Sequence, residues 1–268
     1  MRLGFCASVK NMADVLQEGF DFIELPLAPT VALMAEHGED TEERETILQM
    51  LPRVRNYNIL LPGSVNLLSS TSAYELEQYL HQAFELISDD ASMEGHPAAV
   101  WHPGEQRVIV FGSGRSRNRP ADMPYGEAVK ILTNRVKLMG LVAGEYNLAI
   151  AIEPLNRAET NMIRSLPEAA ILAAGVDLPN VGIVADLYYM LKEDEPLDHL
   201  SEGYPILHAH IVEGRSRDFP VKMTEELHRF LELFRASGYT GDVSIESFNE
   251  FTVETLRACL AAVRPALA

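Results

Sequence analysis

Four hydrophobic runs in the second half of this chain each give out at an acidic or imidazole residue. Glu153 follows Leu148-Ala149-Ile150-Ala151-Ile152, and Asp186 follows Val181-Gly182-Ile183-Val184-Ala185. His210 follows Ile206-Leu207-His208-Ala209, and Glu246 follows Val243-Ser244-Ile245. The intervals between them are 33, 24 and 36 residues. A strand, its helix and the two loops between take roughly 25–40 residues, so one such residue falls in each βα unit. Parallel barrel strands deliver their C-terminal ends to a single mouth, where active sites are built. Two Glu, one Asp and one His brought together there would form an oxygen-rich site for one divalent cation. A single acidic residue at a strand end ordinarily caps the next helix or faces solvent. Four in step are harder to explain that way, because burying four ionisable groups is costly unless they are paired or bind metal.

Short β-branched runs alternate with longer amphipathic stretches along the whole chain, the pattern of βα units. The expected strands are Arg2–Ala7, Phe20–Leu25, Leu60–Leu67, Arg107–Phe111, Leu148–Ile152, Gly182–Ala185, Ile206–Ile211 and Val243–Ile245. Eight strands close a barrel, and about 250 residues is its usual size. The expectation is therefore one α/β domain, a (β/α)8 TIM barrel over 1–268. Helical periodicity is clear over Tyr74–Ile87, Tyr125–Ala143 and Thr224–Ser237, with Thr224 before Glu225 and Glu226 as a start signal and Gly238 as a stop. Two longer loops are expected. Asp89–Gly104 carries His96-Pro97, Trp101 and His102-Pro103, and Gly112–Pro124 lies over the mouth. Arg115, Arg117 and Arg119 in the second loop would either bind phosphate or pair with surface acids.

The net charge of −17 argues against nucleic acid, whose phosphates need Lys and Arg, and against anionic membrane surfaces. It is compatible with a neutral sugar. No apolar run approaches the ~18 residues of a membrane helix, and the first thirty residues lack the pattern of a secretory leader. A reducing cytoplasm is the expected address, so Cys6 and Cys259 are expected to stay unpaired even if barrel closure brings them close. Among single residues, Glu24 ends the second expected strand and could reach a substrate or form a salt bridge. Asn66 ends the third and would line the floor. His208 points the same way as His210, toward the lumen or the metal. His37, His81, His96, His102, His199 and His228 fall in helices or loops as ordinary surface residues.

Several stretches together resemble a known family. Glu153-Pro154-Leu155-Asn156-Arg157-Ala158-Glu159-Thr160-Asn161 resembles the Glu-Pro-Leu-Asn signature of the sugar phosphate isomerase/epimerase superfamily, the xylose isomerase-like barrels. Gly19-Phe20-Asp21-Phe22-Ile23-Glu24-Leu25-Pro26, Val110-Phe111-Gly112-Ser113-Gly114, His208-Ala209-His210-Ile211, Arg217-Asp218-Phe219-Pro220 and Gly238-Tyr239-Thr240-Gly241-Asp242-Val243-Ser244-Ile245-Glu246 extend the likeness over nearly the whole chain. Within the superfamily the chain is similar to ketose 3-epimerases of the tagatose/psicose type. The resemblance implies one Mn²⁺, Mg²⁺ or Co²⁺ held by Glu153, Asp186, His210 and Glu246. It implies that Glu153 and Glu246 move protons and that Glu159 and Arg217 contact sugar oxygens. It also implies a sugar or sugar phosphate as the small-molecule partner and a homo-oligomer, dimers and tetramers being common in the family. One position departs. The family has a His three residues after the metal-binding Asp, and Tyr189 stands there, either donating to the substrate or turned into helix packing.

The chemistry expected is proton transfer next to a ketone. A divalent cation stabilises the enediolate, one carboxylate takes the proton, and a second returns it on the other face. The alternatives are a sugar-binding barrel that has lost catalysis, a metal-dependent dehydratase or lyase of the same superfamily, and an endonuclease-like hydrolase. The last would want a basic face that this chain lacks.

Overall fold

The structure, a computed structural model, describes residues 1–36, 45, 47–49, 51–88 and 106–267. The expected loop Asp89–Gly104, with His96, Trp101 and His102, lies outside the described residues, as does His37. Eight parallel strands close a barrel in chain order. They are β1 (Arg2–Cys6), β2 (Phe22–Pro26), β3 (Val54–Asn58), β4 (Arg107–Phe111), β5 (Leu148–Ile152), β6 (Val181–Asp186), β7 (Ile206–Ile211) and β8 (Asp242–Ile245). The pairing of β1 with β8, from Arg2 opposite Asp242 to Phe5 opposite Ile245, completes the ring. The helices described are α1 (Met12–Gln17), α2 (Leu27–Glu36), α3 (Ala73–Ile87), α4 (Tyr125–Glu145), α5 (Leu166–Val176), α6 (Leu187–Lys192), α7 (Glu225–Ala236) and α8 (Val253–Leu267). No described helix is long and apolar enough to cross a membrane.

Local chemistry sets the helix ends. Ser72 opens α3 with a reciprocal cap: its Oγ accepts from Glu75 N at 3.1 Å, and Glu75 Oε2 accepts from Ser72 N at 2.8 Å. Thr224 Oγ1 caps α7 by accepting from Leu227 N. Gly238, past its end, takes the left-handed φ of +78° that a side chain would disfavour.

Strand alternation sorts each strand into two faces. Phe5, Ile23, Leu25, Ile109, Phe111, Ile150, Ile152, Ile183, Ala209, Ile211, Val243 and Ile245 belong to the continuous apolar core beneath the helices. The opposite phase faces the lumen. On β4, β5 and β6 the lumen carries a small separate apolar cluster of Val108, Val110, Ala149, Ala151 and Val184. Elsewhere it is polar, with Glu24, Asn56, Asn58, His208, Asp242 and Ser244 all buried. Glu153, Asp186, His210 and Glu246 continue this inward phase at the mouth. Gly4 on β1 leaves room for a neighbouring ring, since a Cβ there would stand 2.1 Å from Phe22.

The third strand corrects the sequence expectation. It is Val54–Asn58, not Leu60–Leu67. Its inward residues Asn56 and Asn58 are polar, so Val-Arg-Asn-Tyr-Asn does not read as a barrel strand. Leu60, Leu61, Leu67 and Leu68 are buried instead in the irregular segment that follows. Asn66 consequently does not end the third strand. It organises a turn, accepting from Leu68 N at 3.0 Å while its own N–H donates to Thr71 Oγ1.

Phe5 joins the barrel to the segments that lead into the last two helices. Its ring meets Phe20, Phe219 and Phe251 at centroid distances of 5.1, 5.6 and 4.9 Å. Phe5→Ala should cost about 3–5 kcal/mol, read as a fall in the urea midpoint with unchanged m-value.

Candidate functional site

The four strand-end residues converge. One ligand atom from each of Glu153, Asp186, His210 and Glu246 lies within 4.8 Å of the other three, and all four residues are buried. His210 is the hub. Its Nδ1 stands 2.9 Å from Glu153 Oε1, 3.6 Å from Asp186 Oδ2 and 3.7 Å from Glu246 Oε2. Asp186 serves two purposes, because its Oδ1 caps α6 by accepting from Tyr189 N at 3.0 Å. Two ionised carboxylates within 4.8 Å of each other repel by at least about 3 kcal/mol at an effective dielectric near 20. Three oxygen donors and one imidazole around one buried point suit a divalent cation, which would offset that repulsion.

The pKa pattern follows from this crowding. Burial, reinforced by the charges of Glu246 and Asp186, pushes Glu153 up to about 7 against the lowering bond from His210. Burial would lower His210, but the charges of Glu24 and Glu246 outweigh it and hold it well above the usual imidazole range. Glu24 is also buried, yet His210 and His208 hold its carboxyl well below the usual range.

Of the two roles open to Glu24, the structure shows the salt bridge. Glu24 is fully buried, with Oε1 2.9 Å from His210 Nε2 and Oε2 2.7 Å from His208 Nε2. His208 accordingly sits one layer below the ligand cluster.

Glu246 is held from two sides. Arg217 Nη2 donates to its Oε2, and Asn58 Nδ2 donates to its Oε1 at 3.3 Å. Arg217 has a left-handed backbone, φ +61°, unusual for a residue with a side chain and common at functional positions. Its guanidinium lies among aromatic rings, 4.7 Å from the Tyr188 centroid, 5.0 Å from Tyr189 and 3.8 Å from Phe248. Tyr189 turns its hydroxyl into the site rather than into helix packing. It donates to Glu159 Oε2 at 3.1 Å and accepts from Arg217 Nη1 at 3.1 Å. Glu159, Tyr189 and Arg217 thus form one polar edge above the four-residue cluster.

The arginine-rich loop after β4 departs from both expectations at two positions. Arg117 is fully buried and binds main-chain carbonyls, donating to Glu153 O at 2.6 Å, Phe111 O at 3.3 Å and Ile163 O at 3.4 Å. Arg119 donates to the carbonyls of Pro120 and Met123. Arg115 is exposed. His81 and His199 are also less ordinary than expected, bonding Tyr146 Oη at 2.9 Å and Glu195 Oε1 at 2.8 Å. Cys6 and Cys259 are unpaired thiols.

A family described as the xylose isomerase-like TIM barrel matches residues 12–263. The chain belongs to this family. Among curated relatives, a 3-dehydro-D-guloside 4-epimerase of Escherichia coli (strain K12) is 31% identical over 119 residues, 44% of this chain and 45% of that protein. A ketose 3-epimerase of Arthrobacter globiformis is 27% identical over 127 residues, 46% of this chain and 44% of that protein. The matched stretches span less than half the length of these curated relatives. A crystal structure of D-psicose 3-epimerase in the presence of D-fructose shares the fold at TM-score 0.74 and 18% identity, covering 100% of this chain and 99% of that one. The IOLI protein with a bound zinc atom shares it at TM-score 0.68 and 16% identity, covering 100% and 98%.

Asn56 and Asn58 carry no sequence signal as site residues, and Arg117 reads only as a loop cation. Gly112 is legible only as part of a family stretch, yet a Cβ there would lie 2.4 Å from Glu153 Oε2. Gly112→Ala should push the Glu153 carboxylate away from His210. Zinc affinity, measured by chelator competition, should fall about 10-fold or more while the thermal midpoint changes little.

Proposed function

We propose that the protein is a metal-dependent sugar epimerase or isomerase that moves a proton at the carbon next to a ketone. The observation that carries this reading is the pair Glu153 and Glu246. They rise from β5 and β8, on separate parts of the ring, and both face Nδ1 of His210. The residues fit a cation by donor chemistry. Glu153, Asp186, His210 and Glu246 would hold Mn²⁺, Mg²⁺ or Co²⁺, and the zinc of the IOLI protein makes Zn²⁺ a fourth candidate to load. When bound, the ion supplies Lewis-acid stabilisation of negative charge on substrate oxygens.

The chain's own residues do the rest. One of Glu153 and Glu246 takes the proton from carbon, and the other returns a proton on the opposite face, which inverts that carbon. Arg217 and Asn58 aim Glu246. Glu159, Tyr189 and Arg217 offer acceptor and donor groups to sugar hydroxyls. A ketose or other keto sugar is the substrate class, since the names of the curated relatives share a carbonyl beside the carbon that is epimerised. Two of the three loop arginines, Arg117 and Arg119, are occupied by main-chain carbonyls, which supports a free sugar over a sugar phosphate.

Incubating the Mn²⁺-loaded protein with a panel of ketoses in D₂O should place deuterium at the reacting carbon of at least one. Glu246→Gln should slow that exchange by about 10²–10⁴-fold. A folded, metal-loaded protein that exchanges no ketose, free or phosphorylated, would overturn the reading.

Tyr189→Phe removes the hydroxyl between Glu159 and Arg217. It should change kcat/KM for the preferred sugar by about 10-fold (~1.4 kcal/mol) and reorder the panel without abolishing exchange. A loss as deep as that of Glu246→Gln would instead give the hydroxyl a direct part in proton transfer.

A further inference from the structure

Beneath the cation cluster lies a line of buried polar side chains whose donor and acceptor atoms admit one arrangement. It begins at the backbone of β4. Val108 N–H is an obligatory donor, and the Asn56 side chain meets it at 3.0 Å with Oδ1. That contact fixes the amide, so the atom Asn56 turns to the other side is Nδ2, which can only donate. Nδ2 carries two protons and has two acceptors, Asp242 Oδ2 at 3.2 Å and His208 Nδ1 at 3.4 Å. His208 must therefore accept at Nδ1 and carry its proton on Nε2. That proton goes to Glu24 Oε2 at 2.7 Å. The other oxygen of the same carboxylate, Oε1, faces His210 Nε2 at 2.9 Å. A carboxylate accepts with both oxygens, so His210 donates from Nε2 and turns Nδ1 toward Glu153, Asp186 and Glu246 as the nitrogen a cation would take.

We propose that Asn56, His208 and Glu24 are positioning residues that act as a one-way hydrogen-bond relay, fixing the His210 tautomer so that Nδ1 is the nitrogen offered to a cation. The relay rests on the metal-site reading above. Its geometry supports more than a simple counter-charge. The two imidazoles stand at right angles, with ring planes 89° apart and centroids 4.9 Å apart, each edge-on to one oxygen of Glu24. Glu24 and His208 are fully buried, away from bulk solvent. The Asp242 end is anchored in turn by Arg2 and Arg55, at 2.7 and 2.5 Å. The inward face of β2, β3, β7 and β8 is thus polar because it carries this line.

The relay makes an asymmetric demand on Glu24 that a charge alone does not. In Glu24→Gln the side chain has one acceptor and one donor end. His208, held by Asn56, claims the carbonyl end. The amide NH₂ then faces His210 Nε2, which must become an acceptor and move its proton to Nδ1, where it competes with the cation. Zinc affinity by chelator competition should fall about 10–100-fold. Adding His208→Phe releases the amide to turn its carbonyl toward His210. The double variant should regain most of the loss, although it has no more charge than the single one. Zinc affinity of Glu24→Gln within about twofold of the parent would overturn the relay, as would a double variant no tighter than the single. ¹⁵N–¹H correlation spectra of the unaltered protein give an independent reading if the variants do not fold. Zinc-free, His208 should show a protonated Nε2 and a bare Nδ1. Zinc-loaded, His210 should show metal at Nδ1 and a proton on Nε2. The opposite tautomer at His208 would overturn the relay whether or not zinc binds. Failure of the parent to bind zinc, Mn²⁺ or Co²⁺ would overturn the metal-site reading, leaving the His208 tautomer to decide the relay.

Discussion

Like charges brought to one buried point impose the main constraint on this barrel. Glu153, Asp186 and Glu246 direct carboxylate oxygens at the same imidazole nitrogen, and all three are buried. Such an arrangement persists only if each group is held by something else. Asp186 is held by the helix it caps, Glu246 by Arg217 and Asn58, and His210 by Glu24. Even the main-chain carbonyl of Glu153 is pinned, by the fully buried Arg117. The loop after β4 therefore acts as a clasp on β5, and burial lowers the Arg117 pKa to about 10, partly offset by Glu153 and other nearby charges.

This constraint explains a lumen that is polar on one side. Barrel interiors are usually filled with branched apolar residues, and here the β4–β6 side follows that rule with valines and alanines. The other side carries asparagine, histidine, glutamate and aspartate linked end to end. Buried polar groups of this kind specify geometry more than they stabilise. The apolar stability comes from outside the ring, where residues such as Phe5 pack under the helices.

Much of the site is legible in the sequence, and the reason is periodicity. A residue that ends a hydrophobic run in a parallel barrel has one place to go. That is why spacing alone places Glu153, Asp186, His210 and Glu246 together. Tyr189 stands out by its departure from the family pattern, but the direction of its side chain depends on where Glu159 and Arg217 stand. The third strand escapes a pattern reading for the same physical reason that makes it important. Asn56 and Asn58 replace the apolar residues a strand reading looks for, because one joins the relay and the other aims Glu246.

The sequence by itself determined the number of βα units, the phase of most strands and the donor types at the mouth, since those depend on local alternation and composition. Only the tertiary structure decided which polar groups share hydrogens. Glu24 and His208 are 184 residues apart, and Arg117 reaches a carbonyl 36 residues away. Such pairings depend on barrel register, on the stagger between neighbouring strands and on which rotamer a crowded interior permits. No local pattern encodes these, so the sequence left open whether Glu24 meets a substrate or forms the ion pairs with His208 and His210 that the structure shows.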